Sequence, residues 1–200
     1  MKFNPFNLIS KALKRWIPKS KTQERTDFLK KIINFAHHCG VAGGGGDYLE
    51  FGVFKGSNFS EVYRIAKAKK LTDMRFFAFD SFEGLPEGSE KEFGQFAEGE
   101  YSASLERFNA NLQKSGVDLK DVQAVKGWFK DMLNAETKKR LGLKSAAIIW
   151  IDSDLYESAV PVLDFITDLV VDGTILVFDD WFFFKGNPNR GEQRAFREWL

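Results

Sequence analysis

Residues 148–158 read IIWIDSDLYES, an apolar run that ends abruptly in acids, beginning with Asp152 and Asp154. A second stretch, TILVFDDW at residues 174–181, repeats the pattern and closes on two adjacent aspartates. Continuous apolar runs of this kind are typical of parallel strands that are covered on both faces. The two stretches therefore predict buried strands whose carboxyl ends carry acids.

Strand and helix patterns alternate outward from these two stretches, through residues 47–200. Three more strands are predicted at 47–54, 74–81 and 122–129. Helices are predicted at 57–70, 101–116, 130–141 and 156–171, with a last one from about Arg190. This alternation predicts a doubly wound, mainly parallel α/β sheet with right-handed crossovers. Such sheets bind ligands beyond the carboxyl ends of their strands, where the strand order reverses.

The composition indicates an ordinary globular domain. With 200 residues, 44% hydrophobic and 28% charged, the chain is long enough for one domain with a substantial core. A formal net charge of +1 gives no global field that would attract nucleic acid. The single cysteine, Cys39, excludes an internal disulfide framework and is typical of a reducing compartment. Without a signal peptide or an apolar run of membrane-spanning length, the sequence predicts a cytoplasmic protein.

The amino-terminal segment differs from the rest in charge. Residues 1–25 carry a net charge of +6, which leaves −5 for the remainder. Apolar residues recur at helical spacing from Phe6 to Ile17, so residues 1–22 are predicted to form a basic amphipathic helix outside the main domain at 23–200. Packing on that domain or on a neighbouring subunit of a homo-oligomer is favoured, and contact with a membrane surface is the alternative. The polar stretch at 18–26 predicts a linker, and 27–40 a helix.

Glycines follow the first predicted strand, in the stretch LEFGVFKGSN. Gly52 and Gly56 would let the backbone turn tightly and approach a ligand. Their spacing is not the Gly-x-Gly-x-x-Gly fingerprint of dinucleotide sites, and a plain strand-to-helix turn is the alternative. Glu50 precedes the turn, where its carboxylate would face a positively charged ligand group.

The second predicted strand ends in FDSFEGLP. Asp80 lies 24 residues after Gly56, close to the spacing at which an acid binds both ribose hydroxyls of a nucleotide. A turn or helix-capping aspartate is the alternative. The combination of a glycine turn with an acid at the second strand end favours nucleoside binding, and we assign Asp80 and its neighbour Ser81 to that site.

The acids at the last two strand ends predict a metal site. Asp152 and Asp154 flank Ser153, and Asp179 and Asp180 close the next strand. Crowded carboxylates repel one another and resist ionisation, and a hard divalent cation removes that conflict. A ligand set of oxygens alone favours Mg²⁺ or a similar cation over zinc. Solvated strand-end residues or helix caps are the alternative.

Several motifs together resemble the macrocin O-methyltransferase family. They are, in order, LEFGVFKGSN, FDSFEGLPEG, VKGWFKDML, IDSDLYESAVPVL and GTILVFDDW, and they extend over about residues 47–185. The resemblance implies a Rossmann-like class I methyltransferase fold, S-adenosylmethionine and a divalent metal as cofactors, and a small hydroxylated acceptor such as an antibiotic sugar. It also implies that Asp152, Asp179 and Asp180 hold the metal, and that Asp154 is the general base.

The resemblance leaves two points open. The segment KGWF at 126–129 ends the third strand, where the family's adenine pocket lies, so Trp128 or Phe129 would stack on adenine unless they are core aromatics. Proteins of this fold usually add a helix and an antiparallel strand pair after the fifth strand. Since the sequence stops at Leu200, inside that helix, we expect the last strands to be missing, and an abbreviated sheet is the alternative. Acceptor contacts are expected in 82–99 and 181–189.

Two other functions are compatible with parts of the pattern. A nicotinamide-dependent reductase would use the same sheet, but it needs the dinucleotide fingerprint that the first glycine turn lacks. A degenerate member of the family would bind the cofactor without catalysing transfer.

Overall fold

Five parallel strands form the centre of the computed structural model, which describes residues 20–41, 46–86, 99 and 101–200. The strands are β1 Asp47–Phe51, β2 Phe76–Asp80, β3 Val122–Lys126, β4 Ala146–Ile151 and β5 Ile175–Phe178. Their order is β3-β2-β1-β4-β5, so the direction of winding reverses between β1 and β4. The predicted doubly wound α/β fold is confirmed.

Helices cover both faces of this sheet. They are α1 Lys21–His38, α2 Ser57–Ala68, α3 Leu105–Lys114, α4 Phe129–Met132, α5 Ala135–Leu141, α6 Tyr156–Ile166, α7 Phe183–Gly186 and α8 Gly191–Trp199. Apolar residues of α1, α2 and α3 pack on one face, and those of α5, α6 and α8 pack on the other. None of the helices described is long and apolar enough to cross a membrane.

The strand side chains alternate between these two cores. Tyr48 and Trp150 face the α1–α3 layer, whereas Phe51 and Ile151 face the α6–α8 layer. All four are at most 2% exposed. Burial of each such side chain stabilises the fold by about 1.5–3 kcal/mol. The apolar runs therefore had to be continuous, because neither face of the central strands meets water.

The register aligns the carboxyl ends of the central strands. Phe51 of β1 pairs with Ile151 of β4, and Ile151 pairs with Phe178 of β5. The residues that follow these three positions consequently lie side by side at the carboxyl ends of the strands. This alignment brings the glycine turn after β1 next to the acidic turns after β4 and β5.

The linker predicted at 18–26 is wrong where the structure describes it, because α1 begins at Lys21. The side chain of Ser20 accepts a hydrogen bond from the backbone N–H of Gln23 at 3.2 Å, which caps the helix. Ser-x-x-Gln is a capping-box pattern that the sequence did contain. The amphipathic helix predicted for residues 1–22 lies mostly outside the described residues, which begin at 20.

One edge of the described sheet is formed by β5, whose four residues are all partly exposed. The full burial predicted for both apolar stretches is therefore confirmed for β4 and wrong for β5. After it, α8 packs back against α6. Trp199 of α8 donates a hydrogen bond to Thr167 at 2.8 Å, and Tyr156 donates one to Glu198 at 2.5 Å. The final helix is thereby held beside the acidic end of the sheet.

Candidate functional site

A cavity of about 920 Å³ opens beyond the carboxyl ends of the strands, at the reversal of strand order. Gly52, Asp80 and Trp128 line one part of it, and the turns after β4 and β5 line the other. Its size lies within the range of cavities that bind small organic ligands. The cavity occupies the place that the topology predicts for a ligand site.

Gly52 is required where the turns after β1 and β4 cross. Its φ is +84°, and a Cβ built at this position would lie 1.9 Å from the carbonyl oxygen of Asp152. Any side chain would collide with that backbone, which cannot move without disturbing the acids after β4. The glycine predicted to approach a ligand therefore also lets two backbone turns approach each other at the cavity wall.

Asp80 braces the turn after β1. One of its carboxylate oxygens accepts hydrogen bonds from the backbone N–H groups of Val53 and Phe54, at 2.8 and 3.0 Å. The other accepts one from Phe82 at 2.7 Å. Ser81 closes a local turn by accepting a hydrogen bond from the backbone N–H of Glu83 at 3.1 Å. Asp80 and Ser81 both line the cavity, so the turn role and a ligand role are compatible.

The structure gives different surroundings to the two aromatic residues that follow β3, Trp128 and Phe129. Trp128 is half-buried and lines the cavity. Phe129 also reaches the cavity, but its ring packs edge-on against Phe51 of the core, with ring centroids 6.0 Å apart. Trp128 is therefore the freer of the two for stacking on a planar ligand.

Glu50 and Gly56 have packing roles and are not among the described residues that line the cavity. The Glu50 carboxylate is 1% exposed and accepts hydrogen bonds from Tyr48 and from Asn58, the latter at 3.2 Å. Burial raises the pKa of Glu50 to about 8. Gly56 caps α2 with φ +79°, and a Cβ there would lie 2.8 Å from the ring of Phe108.

The acids that follow β4 and β5 converge in space. Carboxylate oxygens of Asp152, Asp154 and Asp180 lie within 4.8 Å of one another, as ligands of one metal ion would. One oxygen of Asp180 is buried without a hydrogen-bond partner among the described residues. Oxygen ligands with an unsatisfied acceptor fit a hard divalent cation.

Burial and mutual repulsion raise the pKa values of these carboxyl groups. Burial first, and the charges of neighbouring aspartates second, raise the pKa of Asp152 to about 10 and that of Asp154 to about 8. The pKa of Asp180 is also raised by burial, while a hydrogen bond from Asp154 opposes that rise. Burial and neighbouring charge therefore both favour the protonated forms of these acids when no cation is bound.

Asp154 reaches the cluster through an unusual backbone conformation. Its φ is +56°, a left-handed conformation that residues other than glycine seldom adopt. Such conformations cost about 1–3 kcal/mol and concentrate at functional sites. Sequence alternation alone did not predict this turn.

Asp179 stands apart from the convergent triplet. Its side chain is exposed, and the group of three whose oxygens meet contains Asp154 in its place. Asp179 nevertheless lies near Asp152, since its charge is the largest electrostatic contribution that raises the pKa of Asp152 after burial. The assignment of Asp152, Asp179 and Asp180 to the metal remains a prediction, and Asp154 competes with Asp179 for the third position.

Glu192, in the first turn of α8, is a buried acid that the sequence did not indicate. It is 1% exposed, and its carboxylate accepts a long hydrogen bond of 3.4 Å from the backbone N–H of Ser153. Burial and the nearby charge of Asp180 raise its pKa to about 9. A glutamate in the first turn of a helix is ordinarily exposed and interacts favourably with the helix dipole. The sequence therefore gave no sign that Glu192 is buried.

The Tyr-x-x-x-Lys spacing used by some nicotinamide-dependent reductases occurs at Tyr63 and Lys67. Both side chains bind Asp121, at 2.7 Å in each case. Neither belongs to the described cavity lining. This arrangement gives a reductase no proton relay at the ligand site.

The comparison with known protein families gives one match over most of the chain. The family described as Macrocin-O-methyltransferase (TylF) matches residues 20–198.

Curated relatives are similar to this chain over about two thirds or more of its length. A Streptomyces olivaceus protein named 8-demethyl-8-(2,3-dimethoxy-alpha-L-rhamnosyl)-tetracenomycin-C 4'-O-methyltransferase is 31% identical over 165 residues, which are 79% of this chain and 60% of the relative. The mycinamicin III 3''-O-methyltransferase of Micromonospora griseorubida is 27% identical, over 76% of this chain and 63% of the relative. The chain thus spans about 60% of the length of these relatives.

Two solved structures share the fold. The O-methyltransferase NovP superimposes with a TM-score of 0.65 and 23% identity, covering 85% of this chain and 70% of that one. The calicheamicin methyltransferase CalS11 also gives a TM-score of 0.65, with 18% identity, covering 93% of this chain and 87% of that one.

Proposed function

The chain belongs to the macrocin O-methyltransferase family, and from this premise we propose that it transfers a methyl group from S-adenosylmethionine to a hydroxyl of a sugar-like small molecule. The observation that carries the proposal is the convergence of Asp152, Asp154 and Asp180 at the wall of a cavity that Asp80 and Trp128 also line. The relatives, which are named as O-methyltransferases, support the same reaction class.

A divalent cation fits the acid cluster. Asp152 and Asp180 would hold it in either arrangement, with Asp179 or Asp154 as the third ligand. A bound cation supplies positive charge that polarises an acceptor hydroxyl and stabilises its developing negative charge. The raised pKa values of Asp152 and Asp154 support this role, because each acid needs a compensating charge to be ionised at neutral pH.

S-Adenosylmethionine fits the other part of the cavity, where it would supply the electrophilic methyl group. Asp80 and Ser81 would bind the ribose, and Trp128 would stack on the adenine. The turn at Gly52 would keep the backbone close to the ligand. These residues would hold the donor beside the acid cluster, so that the reacting groups are aligned before the transfer.

We assign Asp154 as the general base that takes the proton of the acceptor hydroxyl. A sugar hydroxyl is a weak nucleophile until it loses its proton, and a carboxylate within reach accepts that proton during the transfer. Asp154 lines the cavity, as do Ser153 and Glu157 of the same turn and helix. Its left-handed backbone places its carboxyl beside those of Asp152 and Asp180.

A methyl-transfer screen tests the proposed function. The chain would be incubated with isotopically labelled S-adenosylmethionine and a panel of glycosides, with Mg²⁺ or with a chelator. With the label in the transferred methyl group, we expect a labelled methyl ether to form at a hydroxyl of at least one acceptor, and only with the cation. If calorimetry shows S-adenosylmethionine binding while no acceptor in the panel is labelled, the alternative of a cofactor-binding member without catalysis is favoured.

Replacement of Asp80 by alanine should weaken S-adenosylmethionine binding by about 1.5–3 kcal/mol, roughly 10- to 150-fold in Kd. The variant loses hydrogen bonds from the ribose hydroxyls to a charged acceptor. It also releases the turn amides of Val53 and Phe54, which Asp80 now binds. Isothermal titration calorimetry measures the change.

A ribose analogue separates the two effects. If Asp80 binds the ribose, the wild-type protein should prefer S-adenosylhomocysteine to its 2',3'-dideoxy form, and Asp80→Ala should lose that preference. Asp118→Ala is the matched control, because Asp118 also accepts a backbone hydrogen bond, from Lys120 at 3.0 Å, but does not line the cavity. An undiminished preference in Asp80→Ala would refute the ribose assignment.

A further inference from the structure

The start of α8 packs directly on the turn that carries Asp154. Gly191, the first residue of α8, has φ +52°, and a Cβ at this position would lie 3.4 Å from the carbonyl oxygen of Asp154 and 2.7 Å from the ring of Phe184. A Cβ there would collide with the Phe184 ring, whereas its distance to the Asp154 carbonyl oxygen is an ordinary van der Waals contact. The helix start therefore lies within van der Waals reach of the acidic turn.

The next residue, Glu192, reaches both acidic turns with one carboxylate. It accepts the hydrogen bond from the backbone N–H of Ser153, which lies between Asp152 and Asp154. The charge and the backbone of Asp180 both act on the pKa of this carboxyl group, so Glu192 also lies beside the turn after β5. Its neighbour Gln193 donates a hydrogen bond of 2.5 Å to the carbonyl oxygen of Trp181 in that turn. The start of α8 therefore contacts the turn after β4 and the turn after β5.

The environment of this bridge is buried and contains unsatisfied acceptors. Glu192 is 1% exposed, and its second carboxylate oxygen has no hydrogen-bond partner among the described residues. One oxygen of Asp180 and the hydroxyl of Ser153 are in the same condition. Burial of a carboxyl group costs free energy. A role in holding the two acidic turns would explain why Glu192 is buried here.

We propose that Glu192 is a positioning residue that fixes the two acidic turns relative to each other, so that Asp152 and Asp180 face a common point. The inference rests on the proposed function only in that the common point is the metal position. Outer residues that orient metal ligands typically change metal affinity about 10- to 100-fold when they are replaced. The connection acts through the acceptor oxygen, not through direct contact with the cation.

Three variants test this role. Glu192→Ala removes the acceptor, Glu192→Gln keeps an acceptor oxygen of the same reach, and Glu136→Ala removes an exposed glutamate from the first turn of another helix, α5. Titration with MgCl₂ or MnCl₂ is expected to show about 10- to 100-fold weaker binding in Glu192→Ala. Glu192→Gln and Glu136→Ala should remain within about threefold of the wild type, while the affinity for S-adenosylmethionine stays unchanged in all three.

Backbone amide exchange in the metal-free protein supplies a measurement independent of the cation. The amides of Ser153 and Asp180 should exchange at least about tenfold faster in Glu192→Ala, whereas Glu192→Gln should retain their protection. Unchanged exchange at both amides in Glu192→Ala would overturn the proposal. Loss of metal binding in Glu192→Gln equal to that in Glu192→Ala would also overturn it, since the charge would then be the active property.

The two proposals can fail separately. If the wild-type protein binds neither cation, the metal part of the proposed function is wrong, and amide exchange still decides whether Glu192 connects the turns. If the wild type binds a cation and Glu192→Ala binds it equally well, the positioning role is wrong and the proposed function stands.

Discussion

Asp154→Asn should lower the turnover of methyl transfer by about 10²–10⁴-fold, the usual contribution of a general base. The asparagine amide cannot take the proton of the substrate hydroxyl at neutral pH, whereas the Asp154 carboxylate can. Asparagine tolerates the left-handed backbone that Asp154 adopts at φ +56°, so the turn should keep its shape. The measurement is steady-state kinetics with saturating Mg²⁺ and S-adenosylmethionine, together with calorimetry for both.

The same variant decides how the metal ligands are assigned. If Asp154 is the base, metal and cofactor affinities should change little while turnover falls. If Asp154 is the third ligand instead, metal affinity should fall with turnover, and Asp179→Asn should leave metal binding intact. Asp164→Asn, which alters an exposed aspartate of α6, is the matched control and should match the wild type. Full turnover in Asp154→Asn would exclude both roles.

Removal of divalent cations should make the stability of the protein fall as pH rises from about 5 to 8. The folded-state pKa values of Asp152 and Asp154 are raised to about 10 and about 8, above the value of about 4 for an unfolded aspartate. Across this window the folded state binds more protons than the unfolded state. The free energy of unfolding should therefore decrease by roughly 1 kcal/mol per pH unit for each such group.

Mg²⁺ should reduce this pH dependence by neutralising the ionised carboxylates. Urea unfolding at several pH values, with chelator or with excess Mg²⁺, measures the difference between the two slopes. Glu50 and Glu192 are also buried acids with raised pKa values, so part of the slope should persist with the cation. Only the part that Mg²⁺ removes belongs to the cluster. Equal slopes under both conditions would contradict a metal at these acids.

Asp152→Asn provides the matched comparison for this experiment. Because the variant lacks one titrating group, its chelated form should lose less stability between pH 5 and 8 than the wild type. Its stabilisation by Mg²⁺ at pH 8 should also be smaller, since a shared ligand is gone. Asp172→Asn, which changes an exposed aspartate before β5, should behave as the wild type.

The sequence determined the layered fold because the necessary signals are local or periodic. The continuous apolar run of β4 required a strand buried on both faces. Turn glycines and helical periodicity then supplied the alternation that makes such a sheet parallel. The boundaries were less certain: α1 was predicted to begin at residue 27 but begins at Lys21, because the cap at Ser20 counts for more than the polar composition after it.

The sequence also indicated where the acids gather, since parallel strands end at the same edge. It could not decide which carboxyls meet. Asp154 joins Asp152 and Asp180 through a positive φ that no periodicity predicts, while the side chain of Asp179 remains exposed beside them.

Only the tertiary structure assigned Glu50 to a buried network with Tyr48 and Asn58, and brought Glu192 from 38 residues beyond Asp154 to the same acidic turns. The physical reason is common to all these cases. The hydrophobic periodicity of strands and helices depends on residues close together in the sequence. The direction of a side chain at the end of a strand depends instead on the turn conformation and on elements from elsewhere in the chain that pack against it.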